Sequence, residues 1–404
     1  MADISFDNTE IAFAYKSDKA LQKAHLLFSS MASSTLVKWG TRLTPWAIRA
    51  GLPVKGLIKD SIFEQFVGGE TLEETAEVAK TLAQYGVGVI LDYGVEGKEG
   101  EENFEQAKEE FIRVIRYAGS QPAIPFISIK VTGFARFGLL EKMDALAGPD
   151  DGYKGIMNKD ALTAAERLEW ERVEGRMLEV CAAAATNKVG VLVDAEETWI
   201  QHTVDALTTR MMERFNREGR AVVYNTVQCY RHDRLVFLKG SYETAHAGGW
   251  LLGIKLVRGA YMEKERKRAA QQHYPSPIQP NKDATDRDYN LGLTFCIEHI
   301  EDIALIVASH NEYSNLLAAR LLEQRHLPAN HPHIHYSQLY GMSDNITFNL
   351  AAAGCPVSKY LPFGPLGDVV PYLMRRAQEN SSVSGQTGRE LSLIKKELKR
   401  RKKK

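Results

Sequence analysis

The sequence feature that most constrains the fold is a repeated unit, in which a short apolar stretch rich in strand-forming residues precedes a longer stretch with helical periodicity. Eight apolar stretches follow residue 86, and they are 87–92, 125–131, 189–194, 221–228, 252–257, 303–309, 333–338 and 356–361. Strands that alternate with helices form parallel sheets, and eight such units close a sheet into a barrel. The sequence therefore predicts an α/β fold of the (βα)8 TIM-barrel type.

The chain on either side of the repeat predicts two appendages. Residues before the first strand have a helical pattern, and Thr71-x-x-Glu74 is a capping box that predicts a helix start. A second capping box, Thr163-x-x-Glu166, predicts a helix between the second and third strands. We expect the last helix to lie over the open end of the barrel. The predicted organisation is a helical segment over 1–85, the barrel over 86–380 and a basic tail over 381–404.

An open, doubly wound sheet is the main alternative architecture. Such a sheet would normally place a G-x-G-x-x-G turn after its first strand. Gly86-Val-Gly88 lacks the third glycine and precedes its strand. The pattern therefore disfavours a fold that binds a nicotinamide dinucleotide.

Composition indicates an ordinary globular chain. Of its 404 residues, 44% are hydrophobic and 25% are charged, and no uninterrupted apolar run approaches eighteen residues. Residues 1–10 carry three acids and no Lys or Arg, unlike a secretory or mitochondrial leader, so we expect a cytoplasmic protein. The cysteines form no C-x-x-C pair and are expected to be small buried hydrophobes: Cys181, Cys229, Cys296 and Cys355.

Three alternating histidines raise the question of a metal site. On a strand, His331, His333 and His335 would share one face. Pro332 interrupts a regular strand start, and no acidic or sulfur partner is adjacent. We therefore expect no metal here.

The charge of the chain is unevenly distributed. The net charge is zero, yet residues 395–404 hold eight bases and one acid, which leaves seven excess acids elsewhere. A run of like charge predicts a solvated, unstructured tail. The alternative is electrostatic attachment at the periphery of an anionic membrane, such as an inner membrane. Nucleic acid is not an expected partner of so short a tail.

Polar residues close or follow the predicted strands. Barrel enzymes carry their chemistry at the carboxyl ends of the strands. An interior packed only for stability would end more often in Val, Ile or Leu, so these residues predict a functional site. They are Asp92, Lys130, Asp194, Gln228, Lys255, Arg258, His310, Asn311, Gln338 and Tyr360.

The predicted last helix, residues 365–380, carries aromatic, cationic and anionic side chains after the eighth strand. Tyr372 and Arg376 are four residues apart, as are Arg375 and Glu379. Two guanidinium groups so close to the strand ends could hold a carboxylate. The alternative interpretation is a solvated helix with a salt bridge between Arg375 and Glu379.

Four segments together resemble the proline dehydrogenase family, and they occur in that family's order. They are KLVRGAY at 255–261, SHNEY at 309–313, KYLPFGP at 359–365 and YLMRRAQEN at 372–380. The similarity extends from about residue 60 to residue 380, and its motifs are most similar to the single-activity, mitochondrial form. Shorter matches support it: LDYGVEG at 91–97, SIK at 128–130, DAEE at 194–197 and QLYGM at 338–342.

This resemblance implies an activity and a set of site residues. The activity is FAD-dependent oxidation of L-proline to Δ1-pyrroline-5-carboxylate, with electrons passed to a quinone. The resemblance implies that Arg375 and Arg376 bind the proline carboxylate, and that the pocket is shaped by Lys130, Asp194, Tyr261, Leu339, Tyr360 and Tyr372. It places Lys255 near the reactive nitrogen of the flavin, with further cofactor contacts from Gln228, Val257, Arg258, Gly259, Lys282, Thr285, His310, Asn311 and Glu379.

Three other functions remain open at this point. One is an unrelated barrel enzyme that acts on a phosphorylated substrate, although the sequence shows no evident Gly-rich phosphate loop after the seventh and eighth strands. A hydroxyproline dehydrogenase would need room and a polar partner for the substrate hydroxyl at the position of Tyr360, and a bulky Tyr there favours proline. A non-enzymatic adaptor would act at a membrane through the basic tail.

Overall fold

A computed structural model describes residues 4–33, 37, 39, 55–94, 99–160, 162–382 and 384–403. Its strands overlap all eight predicted apolar stretches. The strands are β1 (Val87–Tyr93), β2 (Phe126–Ile129), β3 (Gly190–Val193), β4 (Val223–Gln228), β5 (Leu252–Val257), β6 (Ile303–Ala308), β7 (Ile334–Leu339) and β8 (Val357–Phe363). They pair in chain order, and β8 pairs with β1 to close the barrel. The predicted (βα)8 fold is confirmed.

Helices precede, separate and follow the strands. Before β1 lie α1 (Thr9–Ala12), α2 (Asp18–Met31), α3 (Lys55–Ile58), a π-helical turn (Lys59–Phe63), α4 (Glu64–Phe66) and α5 (Leu72–Ala83). Between the strands lie α6 (Glu101–Gly119), a 3-10 turn (Val131–Gly133), α7 (Phe137–Asp144), α8 (Asp151–Lys154), α9 (Ala164–Asn187), α10 (Thr198–Phe215), α11 (Arg234–Gly248), α12 (Met262–Gln272), α13 (Lys282–Glu298), α14 (Glu312–Gln324) and α15 (Asp344–Ala352). After β8 come α16 (Leu366–Ser382) and α17 (Ser384–Arg401).

The capping box before α9 forms as predicted. The Thr163 hydroxyl accepts a hydrogen bond from the Glu166 amide at 3.3 Å, and the Glu166 carboxylate accepts one from the Thr163 amide at 2.8 Å. Before α5 only half of the box forms, because the Glu74 carboxylate binds the Glu70 amide instead. Local side-chain chemistry therefore sets where these helices begin.

The strand pairings are parallel wherever their register is resolved. Ile90 of β1 lies opposite Tyr360 of β8, and Gln228 of β4 lies opposite Val257 of β5. Neighbouring parallel strands carry their carboxyl ends on the same edge of a sheet. The polar residues that follow successive strands are therefore placed side by side along that edge.

The chain divides into two compact units, one formed by residues 1–95 with 337–404 and the other by residues 96–336. The first unit has a hydrophobic core to which both termini contribute. Phe28 of α2, Leu373 of α16 and Leu393 of α17 are buried in the same cluster. In the second unit, the buried Arg234 donates to Asp205 at 2.7 Å, so a charge far from water is paired.

The C-terminal segment is not the solvated, unstructured tail that its charge suggested. Residues 384–401 form α17, and Leu393, Ile394 and Glu397 are buried. Arg401 donates to the carbonyl oxygens of Phe13 at 2.7 Å and Lys16 at 2.8 Å. The expectation was wrong because an apolar face is interleaved with the basic residues, and burial of that face stabilises the helix.

The structure also describes the four cysteines and the apolar character of the helices. The four cysteines are buried with free thiols, as expected for small hydrophobes. Among the residues that the structure describes, no helix is long and apolar enough to span a bilayer.

Gly253 in β5 offers a test of barrel packing. A Cβ atom there would lie 2.2 Å from the carbonyl oxygen of Val223 in β4, and strand backbone cannot move aside without breaking the ladder. We expect Gly253→Ala to lower the free energy of unfolding by roughly 1–3 kcal/mol in urea denaturation. The control is Gly175→Ala in α9, where a Cβ would meet nothing within 4 Å. Alanine should stabilise that helix by roughly 0.5–1 kcal/mol. Equal stability of both variants would contradict the prediction.

Candidate functional site

In the unit formed by residues 96–336, a buried ion pair joins Asp194, which follows β3, to Lys255 within β5. The Lys255 ammonium, in a residue only 6% exposed, pairs with Asp194, which also accepts from the Ser128 hydroxyl at 2.8 Å. Burial raises the pKa of Asp194, but the charges of Lys255 and Lys130 outweigh it and lower that pKa below its usual value. Asp194 therefore stays ionised and fixes the Lys255 cation in place.

A second acid, Glu196, lies two residues beyond Asp194. Both of its carboxylate oxygens lie 2.9 Å from the Thr132 hydroxyl, and its carbonyl oxygen accepts from the Gln228 side chain at 2.9 Å. Burial raises the pKa of Glu196 to about 7, although the charge of Lys130 opposes the shift. Glu196 lies in the DAEE segment, but the sequence pattern pointed only to Asp194 there, because Asp194 is the polar residue that closes the predicted strand.

Arg258, which follows β5, is held by side chains from three directions. Its guanidinium donates to Asp286 at 2.6 Å, to Ser309 at 2.7 Å and to Ser314 at 3.0 Å. It also lies over the Tyr289 ring, with its central carbon 4.3 Å from the ring centroid. Ser314 was not predicted from the sequence, where its only local signal is its position three residues after the helix cap Asn311.

Lys282 joins the same group from the first turn of α13. Its ammonium pairs with the other oxygen of Asp286, while the Thr285 hydroxyl donates to the Asn281 carbonyl oxygen at 3.3 Å. Burial raises the pKa of Asp286, but Lys282 and Arg258 lower it below its usual value. Lys282 and Arg258, two of the cofactor-binding residues that the resemblance implies, therefore both bind the carboxylate of Asp286.

The segment after β5 requires glycine at one position. Gly259 has a φ of +132°, and a Cβ atom there would lie 2.4 Å from the Tyr230 ring. Val257 is the last residue of β5, and Tyr261 directly precedes α12. The turn that carries these residues is therefore fixed by close packing on an aromatic ring.

His310 and Asn311 lie in the turn between β6 and α14, and both are half-buried. The Asn311 side chain caps α14 by accepting from the Ser314 amide at 3.0 Å. Asn311 therefore has a structural role whatever else its amide group contacts.

The unit formed by residues 1–95 and 337–404 carries a second group of predicted residues on α16. The guanidinium carbon of Arg376 lies 5.0 Å from the Tyr372 ring centroid, and the guanidinium donates to Glu379 at 2.8 Å. Burial raises the pKa of Tyr372 to about 12, and its hydroxyl has no hydrogen-bond partner among the described residues. The expected proximity of Tyr372 and Arg376 is confirmed.

Arg375 and Arg376 do not share one face of α16. Consecutive helix residues are about 100° apart around the helix axis, so their Cα–Cβ bonds leave the helix in different directions. Arg376 is buried and Arg375 is half-buried. The two side chains therefore differ in their exposure to solvent.

Leu339 and Tyr360 are linked through the backbone. Leu339 ends β7 and packs against the hydrophobic cluster, and the next amide, that of Tyr340, donates to the Tyr360 carbonyl oxygen at 2.9 Å.

Gln338 is buried and accepts from the Thr347 hydroxyl at 2.8 Å. Asp92, at the end of β1, is also buried.

The three histidines near β7 do not form a common face. The strand begins at Ile334, so only His335 belongs to it, and the His333 ring lies 2.7 Å from the Ile300 carbonyl oxygen. Among the described residues there is no group of three potential metal ligands.

Comparison with known sequences identifies the family. A model of the family described as "Proline dehydrogenase" matches residues 75–389. A protein named proline dehydrogenase 1, mitochondrial, from Dictyostelium discoideum is 34% identical over 380 residues, covering 86% of this chain and 66% of that protein. The carbapenem antibiotics biosynthesis protein CarD from Pectobacterium carotovorum is 35% identical over 378 residues, covering 93% of this chain and 94% of that protein.

Two further relatives bear on substrate and fold. A hydroxyproline dehydrogenase from Xenopus laevis is 32% identical over 423 residues, covering 96% of this chain and 88% of that protein. The crystal structure of proline utilization A from Bdellovibrio bacteriovorus, inactivated by N-propargylglycine, superimposes with a TM-score of 0.71 at 19% identity. That match covers 98% of this chain and 42% of the longer one, and it shows a shared fold. On the family match and these identities, the chain belongs to the proline dehydrogenase family.

Proposed function

We propose that this chain oxidises L-proline to Δ1-pyrroline-5-carboxylate with FAD as cofactor and a quinone as the final electron acceptor. The observation that carries the proposal is the buried Arg376 on the Tyr372 ring, within a helix that the family match includes. A buried guanidinium whose acidic partner, Glu379, is partly exposed to solvent is suited to bind a second carboxylate.

The strand-end residues of the 96–336 unit have the chemistry that a flavin requires. Lys255 is a cation fixed by Asp194, and a fixed cation stabilises an electron-rich reduced ring. Arg258 and Lys282 supply further positive charge of the kind that binds phosphate oxygens. When bound, FAD would supply the acceptor for the hydride that leaves proline.

The bond changes in proline explain why a carboxylate grip is useful. Forming the C=N bond of the product removes a hydride from the ring carbon distant from the carboxylate and a proton from the ring nitrogen. The carboxylate does not react, so it can serve as a handle. Each hydrogen bond from Arg375 or Arg376 to it would contribute roughly 1.5–3 kcal/mol. The apolar side chain of Leu339 and the rings of Tyr360 and Tyr372 would contact the methylene groups.

Hydroxyproline is the second candidate substrate, because a relative of that name is 32% identical. A hydroxyl group on the substrate ring needs space and a hydrogen-bond partner in the pocket. We propose that the Tyr360 ring occupies this space and favours proline.

We further propose that the outer face of α17 contacts an anionic membrane, where a quinone would be available. Lys395, Lys399, Lys402 and Lys403 are exposed along or just beyond this helix. Each basic residue near an anionic surface contributes about 1 kcal/mol to binding.

The absorption spectrum of the purified protein tests the cofactor and the substrate together. We expect flavin bands that bleach on anaerobic addition of L-proline, and slower bleaching with trans-4-hydroxy-L-proline. We expect this order because the Tyr360 ring would occupy the space that the substrate hydroxyl needs. Faster bleaching with the hydroxylated substrate would assign the chain to the second candidate, and a colourless protein that FAD does not reconstitute would contradict the proposed function.

Replacing Arg376 tests the carboxylate grip. We expect Arg376→Met to raise the KM for L-proline roughly tenfold to a hundredfold, since one or two charged hydrogen bonds are lost. Methionine fills the space of the arginine stem, and Glu379 can be solvated, so the melting temperature should change little. The matched control is Arg113→Met in α6, where an arginine also pairs with a glutamate three residues away, Glu110, at 2.7 Å. The proposal fails if KM is unchanged in Arg376→Met or rises equally in the control.

Neutralising the outer lysines of α17 tests the membrane contact. We expect the triple substitution Lys399→Gln, Lys402→Gln and Lys403→Gln to reduce cosedimentation with phosphatidylglycerol vesicles by roughly two orders of magnitude in partition coefficient. Binding to pure phosphatidylcholine should be weak for parent and variant alike.

Substitution is preferable to deletion of the segment, because Glu397 and Ile394 within it are buried. A control with Lys80, Lys239 and Lys267 changed to Gln removes three exposed charges elsewhere. If both variants lose vesicle binding equally, the attraction depends on total charge and not on α17, which would contradict the proposed contact. Retained proline oxidation in an α17 variant that no longer binds vesicles would exclude the pure adaptor function.

A further inference from the structure

The loop between β7 and α15, residues 339–343, carries part of the proposed substrate pocket. Leu339, the last residue of β7, begins this segment, and the amide of Tyr340 donates to the carbonyl oxygen of Tyr360 at 2.9 Å. A shift of this loop would therefore move Leu339 and remove a backbone contact of Tyr360. Both are residues that we propose to contact proline.

The loop has a conformation that requires support. Gly341 has a φ of +79°, and a Cβ atom there would lie 2.0 Å from the Gln65 carbonyl oxygen. Ser343 is left-handed with a φ of +52° although it has a side chain. Such a conformation costs roughly 1–2 kcal/mol for a residue other than glycine. It persists only where surrounding contacts enforce it.

Three consecutive residues of the loop are each held by a side chain from a different element. The side-chain amide of Gln65 donates to the Gly341 carbonyl oxygen at 2.7 Å. The buried Lys359 of β8 donates to the Met342 carbonyl oxygen at 2.5 Å. The Ser343 amide donates to the carboxylate of Glu390, a buried residue of α17.

Glu390 belongs to a buried cluster of charges in the unit formed by residues 1–95 and 337–404. Lys359 pairs with Asp344 at 2.9 Å, and Asp344 also accepts from the Tyr15 hydroxyl at 2.8 Å and lies 3.6 Å from the Lys16 ammonium. Burial and the charge of Asp344 raise the pKa of Glu390 to about 7, while the Ser343 amide, Lys359 and Lys16 oppose the shift. A buried acid is costly unless its hydrogen bonds are satisfied, and here the loop amide is a donor that satisfies it.

We propose that Glu390 is a positioning residue for proline binding, through which α17 holds the β7–α15 loop and so fixes Leu339 and Tyr360. The inference rests on the proposed function, since it concerns the pocket of that reaction. Glu390 itself contacts the loop backbone and not the substrate. Its contribution is to keep the left-handed Ser343 in place.

Glu397 provides a comparison on the same helix. It is also buried, but its carboxylate accepts from Arg400 at 2.8 Å and from Arg401 at 2.7 Å, and Arg401 reaches the carbonyl oxygens that follow α1. No bond in the described part of the chain joins it to the loop. Removal of either acid should weaken the packing of α17, and only removal of Glu390 should release the loop.

The experiment compares Glu390→Ala, Glu390→Gln and Glu397→Ala by steady-state kinetics and thermal unfolding. We expect Glu390→Ala to raise the KM for L-proline roughly tenfold with a smaller change in kcat, because displaced pocket residues weaken substrate positioning. Glu390→Gln should restore most of the affinity, since its amide oxygen can still accept from Ser343. Glu397→Ala should lower the melting temperature by a similar amount and leave KM unchanged.

Amide hydrogen exchange of the peptide containing residues 339–343 provides a second measurement that needs no turnover. Exchange at Ser343 should accelerate in Glu390→Ala and not in Glu397→Ala. Should Glu390→Ala fail to fold, Gln65→Met removes another contact of the same loop and should raise KM in the same direction.

The outcomes separate the two proposals. Unchanged KM and exchange in Glu390→Ala, or equal effects in Glu397→Ala, would overturn the positioning role. A parent protein that holds no flavin and does not oxidise proline would overturn the proposed function instead, while the exchange data would still decide whether Glu390 holds the loop.

Discussion

Closure of the sheet between its first and last strands is the constraint on which the rest of the structure depends. β1 and β8 pair in parallel along their whole lengths, from Val87 opposite Val357 to Tyr93 opposite Phe363. Sheet closure leaves no exposed strand edge, and it brings segments far apart in sequence into hydrogen-bonding contact. The residues that follow β8, including the whole of α16, can contribute to a site only because this pairing fixes where β8 ends.

Some ion pairs place charged groups at buried positions, where apolar residues would pack without the free-energy cost of removing a charge from water. Lys255 with Asp194 and Lys359 with Asp344 are both largely shielded from water. Such pairs contribute little net stability compared with well-packed apolar side chains, whereas the loss of one partner costs several kcal/mol. Their value lies in holding a charge at a defined position. For Lys255 that position is the proposed flavin site, and for Lys359 it is the carbonyl group of Met342 in the loop after β7.

The elements that could be predicted are those that depend on residues close together in the sequence. The eight strands were identified because each is a short apolar stretch between helical patterns, and the start of α9 because Thr163 and Glu166 are three residues apart. The proximity of Tyr372 and Arg376 followed from helical spacing. Contacts between distant segments leave no such pattern. Nothing near Arg258 in the sequence indicates Ser314, and nothing near Ser343 indicates Glu390, because tertiary packing alone makes these pairs.

The C-terminal segment shows how a charge count can conceal an ordered helix. Glu390, Leu393, Ile394 and Glu397 recur at spacings of three, one and three residues, which places them on one face of α17, and all four are buried. The two acids on that face supply partners for the Ser343 amide and for the last arginines, so the burial of a basic helix leaves few charges unpaired. On the opposite side, Lys395, Lys399, Lys402 and Lys403 are exposed to solvent. One helix can therefore support the loop after β7 with its inner face while its outer face stays available for an anionic surface.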